Sequence, residues 1–120
     1  MLRLRSATDF ERVRRDGRSY AHPFVVLIAG RQPADSAPGE QPAGTRVGYA
    51  AGRSVGNAVK RNRAKRLLRE SVRSQAAPIA PGWDLILIAR TAIVGCTLAQ
   101  VREAVSQLLR RAHVLSSNAG

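Results

Sequence analysis

At 120 residues the chain is long enough for one domain with one core and too short for two. Twenty Lys and Arg against eight Asp and Glu give a formal net charge of +12 and a pI near 11.7, which points to a polyanionic partner. The single cysteine, Cys96, excludes an intramolecular disulfide and a multi-cysteine zinc site. No run reaches the ~18 apolar residues of a membrane span, and the basic N-terminus lacks the apolar stretch of a signal peptide, so the cytoplasm is the expected compartment.

Residues 1–5 read as a basic lead-in. Ser6-Ala7-Thr8-Asp9 reads as a capping box opening a short helix. Phe10, Val13 and Arg14 lie along its inner side, and Gly17 is placed to end it. Residues 19–29 read as a strand, with Pro23 at its beginning, where a missing N–H matters least; a short extra strand near Arg18–Tyr20 is a variant of that reading. Residues 30–44 form a Pro/Gly-rich loop expected to be mobile and to join two antiparallel strands. Residues 45–51 are the second of these, weakened by Gly48, and residues 52–56 turn the chain.

Asn57 is a plausible N-cap for a helix running to about Ala76–Ala77, stopped by Pro78 and Pro81-Gly82. Residues 83–90 are the most hydrophobic strand, and their continuous apolar run suits a central strand covered on both faces. After a connection at 91–96, Thr97 reads as the N-cap of a last helix with Leu98, Val101, Val105, Leu108 and Leu109 at helical spacing. Residues 116–120 read as a disordered tail, leaving 1–115 as a single domain. The order α-β-β-α-β-α predicts an α+β sandwich, with helices packed on a small mixed sheet.

The middle helix carries the chemistry. Residues 53–73 hold eight of the twenty basic residues and one acid, Glu70. At about 100° per residue, Ala64, Leu68, Ser71 and Val72 fall on one arc. Asn62, Arg66, Arg69 and Arg73 form a stripe elsewhere, flanked by Arg63 and Lys65. A solvated face usually mixes signs; this one does not, so its self-repulsion is relieved only when a polyanion arrives. Eighteen of the bases are Arg and two are Lys. Arginine presents a planar fork to phosphate and stacks on bases, which favours RNA-like recognition.

The parts of an enzyme are scarce. The acids show no paired-carboxylate or metal-ligand spacing. His22 and His113 stand alone, as structural histidines usually do, and no phosphate-binding glycine loop is present. No catalytic residue and no metal ligand is therefore assigned. The aromatics Phe10, Tyr20, Phe24, Tyr49 and Trp83 suit core packing, and those on a sheet beside a basic helix could stack single-stranded bases.

The run Arg53-Ser-Val-Gly-Asn-Ala-Val-Lys60-Arg-Asn-Arg-Ala-Lys-Arg-Leu-Leu-Arg69 closely resembles the signature of the protein subunit of bacterial ribonuclease P, with its Arg-Asn-Arg at Arg61, Asn62 and Arg63. Asp9-Phe10 with Val13 and Gly17, Arg46-Val47-Gly48, and residues 82–90 resemble the family's first helix, its strand before the signature and its last strand. The resemblance implies a small protein cofactor of a large catalytic RNA. Together they remove the 5′ leader from precursor transfer RNA by hydrolysis, with magnesium ions held mainly by the RNA. It also implies a left-handed crossover through the basic helix, against the usual right hand, and a monomer within the holoenzyme.

Residue by residue, the resemblance places Arg61, Asn62, Arg63, Lys65, Arg66 and Arg69 on the surface facing the catalytic RNA, with Arg53 at a basic position before it; Arg73 continues the stripe. Phe10 and Arg90 match positions lining a cleft for the single-stranded leader, and Tyr49 is placed there from its strand. Arg14 stands where the family has a second aromatic, which makes leader binding more electrostatic here. Ser54 stands where a second lysine is common. The alternative is a structural RNA-binding protein such as a small ribosomal protein. A DNA-binding helix-turn-helix would need a helix directly upstream of the basic one, where residues 45–51 read as a strand.

Overall fold

The computed structural model describes residues 2–4, 6–32 and 44–115. Its elements in chain order are β1 (Leu2–Arg3), α1 (Ala7–Asp16), β2 (Arg18–Ala21), β3 (Val25–Arg31), β4 (Arg46–Ala51), α2 (Ala58–Arg73), β5 (Trp83–Ala89) and α3 (Leu98–Arg111). Single 3-10 turns at Arg53–Val55 and Thr91–Ile93 lead into α2 and away from β5. The strands form one mixed sheet in the order β1-β4-β5-β3-β2. The α+β class with helices packed on a mixed sheet thus holds, and the expected reading of 116–120 as a tail falls outside the described residues.

The most apolar strand is indeed central. β5 pairs antiparallel with β3 and parallel with β4. Side chains alternate along a strand, so β5 feeds both faces. Leu85, Leu87 and Ala89 join Val25, Leu27 and Val47 under α2 and α3, where Leu68, Val72, Val105 and Leu108 close the larger core. Ile86 joins Ile28, Leu4 and Val13 under α1 in a smaller core. Deleting a fully buried leucine such as Leu68 or Leu108 from the larger core costs about 2–5 kcal/mol.

Several boundaries differ from the sequence reading. β1 falls within the expected basic lead-in; two residues are too few to show a period. The stretch 19–29 divides into β2 and β3, an antiparallel pair joined through His22, Pro23 and Phe24, so Pro23 sits in the turn. Gly30 and Arg31 belong to β3 rather than to the loop; residues 33–43 of that loop lie outside the described residues. β3 and β4 are not partners, because β5 inserts between them. The parallel pair β4 and β5 is joined through α2, a crossover connection.

Helix ends are set by side chains at α2 and α3. Asn57 caps α2 by accepting from the Lys60 N–H at 3.0 Å. Thr97 and Gln100 form a full capping box on α3. At α1 only half the expected box exists: Ser6 accepts from the Asp9 N–H at 3.4 Å, while the Asp9 carboxylate turns to arginines. α2 ends at Arg73, short of Ala76–Ala77. The Gln75 side chain donates to Ser71 O at 2.9 Å, and Pro78 keeps residue 77 out of the helical region. Gly17 ends α1 in an extended conformation, φ −78°, not in the left-handed one. Its role is close approach, since a Cβ there would lie 2.5 Å from Val13 O of α1 and 3.0 Å from Ala29 O of β3.

Candidate nucleic-acid interface

The apolar arc of α2 docks it on the sheet: Ala64, Leu68, Ser71 and Val72 are buried. That leaves three rows of other side chains. Asn62, Arg66 and Arg73 are exposed along the outer face. Arg61, Lys65 and Arg69, at i, i+4, i+8, are half-buried along one flank, where the Arg69 guanidinium lies 5.6 Å from the ring centroid of Tyr49 on β4. Arg63 lies on the other flank, and its Nη2 donates to Cys96 O at 3.0 Å. Arg53 is exposed on the turn before the helix. The predicted set therefore shares one helix and not one face, because consecutive Arg61, Asn62 and Arg63 diverge by about 100° each. Arg73 is also paired with Glu70 at 3.2 Å. Val59 is 75% exposed among these polar groups.

The opposite face of the sheet carries α1. The Phe10 ring lies against Gly48 of β4, where an added Cβ would meet ring carbon Cε2 at 2.9 Å; only glycine lets the ring seat on the backbone. Beside it, half-buried Val26 and Ile88 are packed on the small core, and Ala50 is in register with Ile88. Together they make a partly open apolar floor next to α1.

A buried ion network clamps α1 to this face. Asp84 is fully buried. Arg46 binds it through two nitrogens, at 2.8 and 2.7 Å, and Arg12 of α1 donates to the same carboxylate. Asp9 takes Arg12 and Arg46 at 3.3 Å each. Burial alone would raise the carboxyl pKa of Asp84, but the hydrogen bonds from Arg46 and Arg12 outweigh it and hold the group below the ordinary carboxylate range. The charge thus stays on, fully paired, as a buried charge must.

The predicted leader residues are only partly brought together. Phe10 is half-buried at the floor. Arg14, one turn on, is exposed rather than buried on the inner side of α1. Arg90 is exposed at the end of β5, its side chain donating to His22 O at 3.4 Å. Tyr49 does not belong with them. It packs on the larger core under α2, on the face away from Phe10, because alternation turns residues 48 and 49 to opposite sides. Sequence reasoning missed Val26, Ala50 and Ile88; the even positions of three strands carry that signal once the register is known.

Among the described residues the carboxylates do not fit a magnesium site. Asp9 and Asp84 are consumed by Arg12 and Arg46. Asp16, Glu70 and Glu103 pair with Arg15, Arg73 and Arg110. Hard divalent cations need several converging oxygens, and no cluster of His, Cys, Asp and Glu of that kind is present among these residues. Cys96 is a buried thiol. His22 is structural, accepting from the Phe24 N–H at 3.1 Å. Among the described residues no helix is long and apolar enough to cross a membrane. β4 stands directly before the turn into α2, so the helix-turn-helix arrangement is absent.

Comparison with known proteins agrees with this geometry. The family model for ribonuclease P matches residues 1–113. The ribonuclease P protein component of Herpetosiphon aurantiacus is 40% identical over 112 residues, covering 93% of this chain and 85% of that one. The RNase P protein of Staphylococcus aureus superposes with a TM-score of 0.80 at 27% identity, covering 97% of this chain and 99% of the other. That of Thermotoga maritima superposes at 0.75 with 28% identity, covering 92% and 97%. These likenesses do not favour a small ribosomal protein. With its signature run on a helix docked by an apolar arc and matched over nearly its whole length, the chain belongs to the ribonuclease P protein family.

Proposed function

We propose that the chain acts as the protein cofactor of ribonuclease P, holding catalytic RNA and precursor transfer RNA on opposite faces of one sheet. The observation that carries this reading is the split between the faces. The signature helix lies on one, and the Phe10 floor beside α1 lies on the other. The exposed row Asn62, Arg66 and Arg73, with Arg53, Arg61, Lys65 and Arg69 beside it, takes the catalytic RNA through charge-assisted contacts to phosphate. Phe10 offers a stacking edge to a single-stranded leader, and Arg14 and Arg90 supply charge near its ends. Arg63 is largely a positioning group, since its guanidinium already binds the chain.

Hydrolysis belongs to the RNA, and magnesium ions held there would supply activation of the attacking water. The protein's part is electrostatic and positional. It offsets phosphate repulsion between the two RNAs and holds the leader away from the cleavage site. In this reading it works in the cytoplasm as a monomer within the holoenzyme. The test is cleavage of a leader-bearing precursor transfer RNA by catalytic RNA at low magnesium, with and without the protein. Restored cleavage at the mature 5′ end is the expected outcome. Tight RNA binding with no restored cleavage would refute the reading.

A further inference from the structure

Tyr49 stands at a convergence that the stripe on α2 does not account for. Among the described residues, β4 is flanked on its outer side by β1, and the Leu4 N–H after that strand is bonded to Val47 O at 3.0 Å. Arg3 is in register with Val47, and Val47 faces α2. Registered neighbours share a face, so Arg3 projects to the α2 side, in the row next to Tyr49. From the helix, Arg69 covers the tyrosine ring at 5.6 Å, and Arg73 follows one turn later.

The chemistry of this cluster is that of a phosphate site. Burial pushes the Tyr49 pKa up to about 12 despite the opposing pull of Arg69, Arg3 and Arg73, so the phenol keeps its proton and is available as a donor. Glu70 of the same helix acts against these arginines on the Tyr49 phenol, and it is paired with Arg73 at 3.2 Å. The Glu70–Arg73 pair offsets part of the repulsion among these arginines, and the remaining excess of positive charge around a neutral donor favours a further anion. Guanidinium forks and an O–H donor match phosphate oxygens.

We propose that the surface between α2 and the β1 edge, carrying Arg3, Tyr49, Arg69 and Arg73, seats the phosphodiester backbone of the catalytic RNA. The site rests on the ribonuclease P reading and extends its RNA surface from the helix onto the sheet. It also moves Tyr49 from the leader to the catalytic RNA.

The test uses the full chain with the ribonuclease P RNA of the same genome, and the variants Arg3→Ala and Tyr49→Phe, singly and together. Arg3→Ala removes an exposed side chain, and Tyr49→Phe removes only the hydroxyl, so neither deletes core volume. Affinity for the catalytic RNA is measured across a salt series. Arg3→Ala should weaken binding about tenfold and reduce the salt slope by about one. Tyr49→Phe should weaken binding about fivefold with the slope unchanged, and the double variant should lose less than the product of the two, since the residues act on one phosphate. The preference of the holoenzyme for leader-bearing over leaderless substrate should not change. If wild-type protein stimulates the RNA but both variants bind it unchanged, the site is overturned alone. A loss confined to the leader preference would also overturn it. A wild-type chain that gives no stimulation overturns the ribonuclease P reading and this site with it.

Discussion

Replacing Asp84 by asparagine removes the centre of the clamp between α1 and the sheet while keeping its shape. The carboxylate is 0% exposed and is held by Arg46 through two nitrogens and by Arg12. Breaking a buried pair by removing one partner costs about 3–5 kcal/mol. Here the partners are 28% and 21% exposed, and Asp9 still reaches both, so the lower end applies. A loss of about 3 kcal/mol corresponds to about 12 °C in Tm for a chain of this length. The sign of the pH dependence follows from the depressed pKa in the fold. The contribution of Asp84 is fully present above its unfolded pKa of about 4 and is lost as pH falls through the lower folded value. Urea unfolding of wild type and Asp84→Asn, followed by far-UV circular dichroism, should thus show the full gap at pH 7 and a shrinking gap below pH about 4. A gap under about 1 kcal/mol at pH 7, the range of an exposed pair, would refute the assignment of a buried clamp.

Three further outcomes are expected. Gly48→Ala forces the Phe10 ring off its seat, costs about 1–3 kcal/mol, and should reduce preference for leader-bearing substrate while leaving affinity for the catalytic RNA in place; substrate titrations with and without a leader check this. Arg66→Ala should weaken catalytic-RNA binding and lower the salt slope by about one, whereas Phe10→Ala should not change that slope. Asn57→Ala removes the cap of α2 and should destabilise the chain by about 1 kcal/mol in a thermal melt.

Much of the site was legible in the residues because local chemistry decides it. Asn57 and Thr97 announce helix starts, since a side-chain oxygen is needed where backbone N–H groups lack partners. The arc of Ala64, Leu68, Ser71 and Val72 is the buried face of α2 because a helix repeats at 3.6 residues per turn. The signature run and the excess of arginine named the class of partner. The clamp was not legible. Arg12, Arg46 and Asp84 are far apart in sequence, and a lone acid at a strand start carries no sign of its partners.

What sequence alone determined here is periodicity, capping, charge and the kind of molecule that charge attracts, all properties of neighbours along the chain. Tertiary structure decided which strand lies between which, and so which face each strand residue serves. The insertion of β5 between β3 and β4 sets the register that places Phe10 over Gly48. The same register turns Tyr49 to the opposite face, beside Arg3 and Arg69. A side chain one position along a strand points the other way, so the face a strand residue serves is fixed only once the sheet is paired.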